Sequence, residues 1–116
     1  MIVFTLPWPP SSNRYWRNVN GRMVKSAAAR AYRDEAGWVY LSQSTMRGKL
    51  VTGDLKVTLD FYRPAKRGDL DNRIKVLLDS LQGIAFENDS QITEIHARRY
   101  EDKANPRVEV TISSQA

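Results

Sequence analysis

The sequence predicts an α+β fold in which two main helices pack on a single mixed β-sheet, with residues 1–116 forming one domain. Three observations predict it. Apolar residues alternate through "LKVTLDFYR" (Leu55 to Arg63), the period of a half-buried strand. They recur at helical spacing through "LDNRIKVLLDSLQG" (Leu70 to Gly83). Strand-like and helix-like stretches interleave along only 116 residues, a length suited to one modest core.

In chain order, "IVFTL" alternates weakly and reads as a strand, halted at once by "PWPPSSN", where three prolines remove amide donors. "RYWRNVNGRMVKS" follows as a loop or a short hairpin around Asn20-Gly21, the favoured pair for a tight reversing turn. Ser26 is a good N-cap for a first helix over "AAARAYRDEAGWVYLSQSTMR", with Ala28, Tyr32, Ala36, Val39 and Met46 on one broad face despite Gly37. The strand from Leu55 turns Leu55, Val57, Leu59 and Phe61 one way and Lys56, Thr58, Asp60 and Tyr62 the other. Pro64 ends it. The second helix gathers Leu70, Ile74, Leu77, Leu78 and Leu81 on one face, with Gly83 as its stop. After "IAFENDS", "QITEIHARRYE" and "RVEVTIS" read as two strands joined by a turn at "DKANP".

Composition excludes several functions. A chain 41% apolar and 27% charged belongs with soluble globular proteins rather than disordered ones. No apolar run approaches the roughly 18 to 20 residues that cross a bilayer, and the start lacks the charged region and small-residue cleavage site of a signal peptide, so a cytoplasmic protein with no membrane partner is expected. The absence of cysteine rules out disulfides, thiolate metal sites and a cysteine nucleophile, and a lone His96 argues against zinc. The net charge of +5 is uneven: residues 1–50 hold eight Lys/Arg against two acids, and residues 51–116 hold ten against eleven. A cationic first half attracts polyanions, nucleic acid foremost, although the same charge also serves solubility.

Against that background "RGDLDNRIK" (Arg67 to Lys75) sets two carboxylates two residues apart. One reading has Asp69 and Asp71 capping the second helix and complementing its positive end. The other starts from their repulsion, which a divalent cation relieves; magnesium or manganese suits an all-oxygen set. On a helix, Asp71, Lys75 and Asp79 form a polar stripe beside the apolar face. Lys75 serves there as an i,i+4 partner of Asp71 or as a fixed positive charge for a reacting phosphate. In "FENDSQI", Asp89 reads alone as a turn residue bonding its own backbone, and spacing does not choose between it and Glu87. Arg63, Lys66 and Arg67 stand just before the acid pair, so groups able to grip phosphate adjoin groups able to hold a metal. Metal-dependent phosphodiester cleavage accounts for both.

These segments resemble the RusA family of Holliday junction resolvases. "LPWPPSSNRYWR" (Leu6 to Arg17) resembles the family's proline-rich opening, "KRGDLDNRIKVLLDSL" (Lys66 to Leu81) its acidic signature, and "FENDSQI" (Phe86 to Ile92) its third acidic segment. The resemblance implies that Asp69, Asp71 and Asp89, rather than Glu87, form a metal site for Mg2+, with Mn2+ substituting, and that Lys75 is the essential basic residue of the helix. It implies an α+β homodimer of bacterial or phage origin that resolves four-way DNA junctions by paired nicks, with no small-molecule cofactor. Arg14, Arg17, Lys66 and Arg67 are the candidate DNA contacts, Arg67 standing in for the basic residue the family often has where this chain has Gly68. Two other functions fit the same residues: a non-catalytic phage-type DNA-binding protein retaining the fold, and a less selective branched-DNA nuclease.

Overall fold

The computed structural model describes residues 1–44, 49–64 and 70–114, apart from the side chain of Asp71. The elements run β1 (Ile2–Pro7), α1 (Ser12–Tyr15), β2 (Trp16–Val19), β3 (Arg22–Lys25), α2 (Ala27–Gln43), β4 (Leu55–Arg63), α3 (Leu70–Leu81), a 3-10 turn (Asp89–Gln91), β5 (Ile92–Glu101) and β6 (Arg107–Ser114). Four strands form the main sheet in the order β1-β6-β4-β5. β6 is antiparallel to both of its neighbours, whereas β5 is parallel to β4, so the sheet is mixed as the sequence predicts.

The parallel pair follows from its connection. β4 and β5 are joined through α3, and a helical crossover returns the chain to the starting end of the first strand. β6 then inserts between β1 and β4 rather than beside β5. The turn at "DKANP" therefore does not close a two-strand hairpin. It passes the end of β4, where the Asp102 amide donates to the Arg63 carbonyl at 2.8 Å, and Asp102 also binds Arg107 at 2.9 Å.

Alternation on β4 is realised as expected. Leu55, Val57, Leu59 and Phe61 are fully buried, joined by Phe4 and Leu6 of β1 and Val108, Val110 and Ile112 of β6. Tyr32, Ala36 and Tyr40 of α2 and Leu77, Leu78 and Leu81 of α3 cover this face, with Leu70 and Ile74 at its margin. The other face of the sheet is polar. Lys56 faces Glu94 at 3.8 Å, Asp60 takes Arg98 at 2.7 and 3.1 Å, and the rings of Tyr62 and Tyr100 stack at 5.0 Å.

The first helix corrects its predicted face by one position. Its buried stripe is Ala29, Tyr32, Ala36 and Tyr40, while Ala28 and Val39 are half-buried. Two tyrosines set the rotation because each buries its ring and spends its hydroxyl on a carbonyl: Tyr32 donates to Pro7 at 2.7 Å and Tyr40 to Lys49 at 3.0 Å. The helix ends at Gln43, short of the predicted Arg47, and Met46 lies outside the described residues. Ser26 caps it as expected, accepting from the Ala29 amide at 3.1 Å.

The reversing turn at Asn20-Gly21 is a true hairpin joining β2 to β3, and both residues have positive φ (53° and 78°), the signature of a primed turn. α1, a single turn, was not predicted. Four residues carry too little periodicity to be seen, and its anchor, the wholly buried Tyr15, packs in a small second cluster with Ala29, Val76 and Trp16.

Candidate functional site

α3 organises the site. Asp71 lies in its first turn, and Lys75, one turn on, is exposed where the helix meets the base of the β2–β3 hairpin, beside Trp16 and Met23. Asp79, the third member of the predicted stripe, is committed elsewhere. It accepts a short hydrogen bond from the Tyr15 hydroxyl and pairs with Lys25 at 3.4 Å. Burial, and then the bond to Asp79, push the Tyr15 hydroxyl up to about 12. Asp79 thus fastens α1 and the hairpin to α3.

The proline-rich segment is fixed by the same helix. The Asn72 side chain accepts from the Ser12 amide at 2.8 Å, and Arg73 donates to the Pro9 carbonyl at 2.6 Å with its guanidinium 5.3 Å from the Trp8 ring. Sequence reasoning missed both as positioning residues. Polar side chains in a helix show no preferred partner until the tertiary structure supplies one. Trp8, half-buried, also packs edge-on against Phe61 at 6.0 Å, and Tyr15 is fully buried.

Arg14 on α1 and Arg17 on β2 are exposed, as is Arg22 on β3, and none of the three guanidiniums has a partner among the described residues. Arg33 and Arg30, members of the same basic half, each bond a backbone carbonyl: half-buried Arg33 donates to the Asp79 carbonyl at 3.2 Å and exposed Arg30 to the Lys25 carbonyl at 3.1 Å. Lys66, Arg67 and Asp69 lie outside the described residues, and only the backbone of Asp71 is described.

Asp89 opens the 3-10 turn and is exposed. The turn-residue reading fails for it, because Asn88 is the cap that accepts from the Ser90 amide at 2.9 Å. The Asp89 carboxylate has no partner among the described residues, while its amide donates to the Gln82 side chain at 3.0 Å. Gln91 holds the turn from below. Its carbonyl oxygen accepts from the amides of Glu87 and Asn88, each at 3.0 Å, and its amino group donates to the carbonyls of Val51 and Gly53 at 3.1 and 2.9 Å.

Asp71 belongs to the first turn of α3 and Asp89 is tied to Gln82, just past its last turn, so about 16 Å of helix axis separates the two anchor points. Among the described residues no three acidic or imidazole groups gather closely enough to hold a metal ion. The donor chemistry nonetheless suits one: exposed carboxylates and no sulfur ligand favour a hard cation such as magnesium or manganese.

Fold and charge define a class, a small α+β domain that sets a cationic hairpin and an exposed lysine beside acidic residues. The chain belongs to the RusA family: the family model described as Endodeoxyribonuclease RusA matches residues 7–113. It is 33% identical over 111 residues to the crossover junction endodeoxyribonuclease RusA of Escherichia coli K12, covering 94% of this chain and 91% of the relative. The enzyme of the same name from Enterobacteria phage 82 shows the same identity and coverage. That of Escherichia coli O139:H28 is 36% identical over 89 residues, covering 76% of this chain and 72% of the relative. No described helix is long and apolar enough to cross a membrane.

Proposed function

We propose that the protein is a metal-dependent endodeoxyribonuclease that resolves four-way DNA junctions by paired nicks in opposed strands. The observation that carries this is the RusA match, which runs from residue 7 to residue 113 and so spans Asp69, Asp71, Lys75 and Asp89. Asp69, Asp71 and Asp89 are the residues that would hold a divalent cation, which when bound supplies Lewis-acid polarisation of the scissile phosphate and a more acidic water. Lys75 contributes a fixed positive charge that opposes the negative charge growing on the phosphoryl oxygens. Arg14 and Arg17, with Lys66 and Arg67, bind the phosphate backbone on either side. A junction needs two cuts, and a homodimer supplies two sites with the approximate two-fold symmetry of the substrate.

The test uses a synthetic four-way junction with magnesium or manganese, with and without chelator, in competition with linear duplex. The parent cuts the junction only when metal is present. Asp71→Asn and Asp89→Asn abolish cutting while binding stays as tight or tightens, because an acidic repulsion is removed and the basic surface is intact. Cleavage by either variant at the parent's rate rejects the assignment, and equal cutting of linear duplex replaces a junction resolvase with a general nuclease.

A further inference from the structure

We infer that Tyr100 is a stacking site for one unpaired nucleobase of DNA, braced from behind by Tyr62 and Arg107. The inference deepens the nuclease reading above and rests on it for the identity of the ligand.

Three strands build the site. Tyr62 of β4 lies in register with Arg107 of β6 on one side and with Tyr100 of β5 on the other. The side chains follow that line: the Arg107 guanidinium lies 3.9 Å from the centre of the Tyr62 ring, and the Tyr62 and Tyr100 rings stack at 5.0 Å with their planes 24° apart. Tyr62 is therefore covered by a cation on one face and a ring on the other. β5 is the last strand of the sheet, so the column ends at Tyr100 with no strand beyond it. Tyr100 is 41% exposed, and among the described residues no second ring or guanidinium stacks on it. Its outer face is open.

A stacking surface binds best when it is rigid before its ligand arrives. Arg107 is anchored three ways, to the Asp102 carboxylate at 2.9 Å, the Asn105 carbonyl at 3.0 Å and the Glu109 carboxylate at 3.5 Å. One pair back along the same face, Asp60 holds Arg98 by bonds of 2.7 and 3.1 Å. The column is thus fixed at its base and along its side. Trp38 on α2 is more exposed, at 73%, yet among the described residues no ring or cation braces it.

Planarity selects the occupant, because what continues a column of aromatic rings is another flat π system. A nucleobase presents one whatever its sequence. Charge favours a base over an aromatic side chain: Arg99 and Lys103 flank Tyr100 along the chain, both exposed and neither with a partner among the described residues, so the phosphates beside a stacked base find cations. A base paired within a duplex has both faces taken by its neighbours, whereas strand exchange interrupts that stacking. The column stands at the end of β4 from which the chain goes on to α3, whose first turn holds Asp71. A base held there sets the crossover relative to the residues that cut.

Photo-cross-linking and binding test this. The parent is mixed, with chelator present so that the DNA stays whole, with four-way junctions carrying iododeoxyuridine at each position beside the crossover, and with the matched linear duplex. Irradiation joins the iodinated base to an aromatic ring stacked on it, and the joined residue is identified by mass spectrometry. The junction cross-links to Tyr100 and the duplex does not. Tyr100→Leu, which keeps an apolar cover on Tyr62, loses the cross-link and binds the junction about five- to tenfold more weakly while duplex binding holds. Tyr100→Trp binds the junction at least as tightly as the parent. A cross-link at Trp38 in place of Tyr100, junction binding by Tyr100→Leu as tight as the parent's, or a loss that tryptophan does not restore overturns the stacking site. So does a changed oligomeric state of Tyr100→Leu, which gives the ring to a contact between copies. None of these measurements requires cleavage: a parent that cross-links through Tyr100 but cuts nothing when magnesium is added loses the nuclease reading and keeps the base site, and one that cuts without cross-linking there keeps the reading and loses the site.

Discussion

Single side chains set the shape of the site by consuming hydrogen-bond capacity. Gln91 uses both lone-pair directions of its carbonyl and both amino protons, and Asn88 and Gln82 complete the frame around Asp89. Replacing Gln91 with Glu keeps the acceptors and loses two donors, leaving the Val51 and Gly53 carbonyls unserved. We expect a loss of about 1 to 3 kcal/mol in urea unfolding and a fall in junction cleavage greater than the fall in binding. Tyr15 works the same way on the other side of α3. Its hydroxyl is pushed up to about 12 in the folded protein, above the usual tyrosine value of about 10, so the native state holds this proton more tightly than the unfolded chain. Its stabilising contribution is therefore complete below about pH 10 and lost as pH rises toward 12. Tyr15→Phe should cost about 1.5 to 3 kcal/mol at neutral pH, and its stability should fall less steeply than the parent's between pH 10 and 12.

At the scale of elements, the sequence punctuates its helices and turns with residues suited to one backbone conformation. Gly83 follows α3 with φ of 84°, and its amide donates to the Phe86 carbonyl at 2.7 Å, closing the turn that leads to Asp89. A β-carbon at this position is strained and meets Arg33 Nη2 at 3.0 Å. Gly83→Ala is expected to cost about 1 to 2 kcal/mol in thermal or urea unfolding, whereas alanine at Gly37, inside α2 and 3.8 Å from Ile84, should be nearly neutral or stabilising. If both substitutions cost the same, the left-handed turn is not what holds the end of α3. Helix and strand periods were legible because burial on one face imposes them, as on β4. α1 was not, since its position depends on Tyr15 finding Asp79 and Val76, residues more than sixty positions away.

For the whole molecule, charge is divided by function. The exposed arginines of α1 and the hairpin have no acidic partner among the described residues, whereas the acids of the sheet are largely matched: Lys56 with Glu94, Arg98 with Asp60, Arg63 with Glu101, and Arg107 with Asp102 and Glu109. The unpartnered cations are the ones available to phosphate. Junction binding should therefore weaken linearly in log affinity against log salt, and each phosphate contact removed by Arg14→Ala or Arg17→Ala should reduce the slope by about 0.9. An unchanged slope in both variants removes these residues from the DNA surface. Such a surface has to be read in three dimensions, because Arg30 and Arg33 come from the same basic half and each gives a donor to a backbone carbonyl.

By itself the sequence determined the α+β class, the mixed sheet, a chain reversal at Asn20-Gly21 as either a loop or a short hairpin, and the candidate acidic and basic residues. Each of those follows from local period, local turn geometry or residue chemistry. The tertiary structure alone decided that β6 enters between β1 and β4, that Asp79 is a strut, and that Asn88 rather than Asp89 caps its turn. It also decided that the Asp89 amide is held by Gln82, just past the end of the helix whose first turn holds Asp71. These are outcomes of long-range packing, where a polar side chain takes whichever partner the core brings within reach.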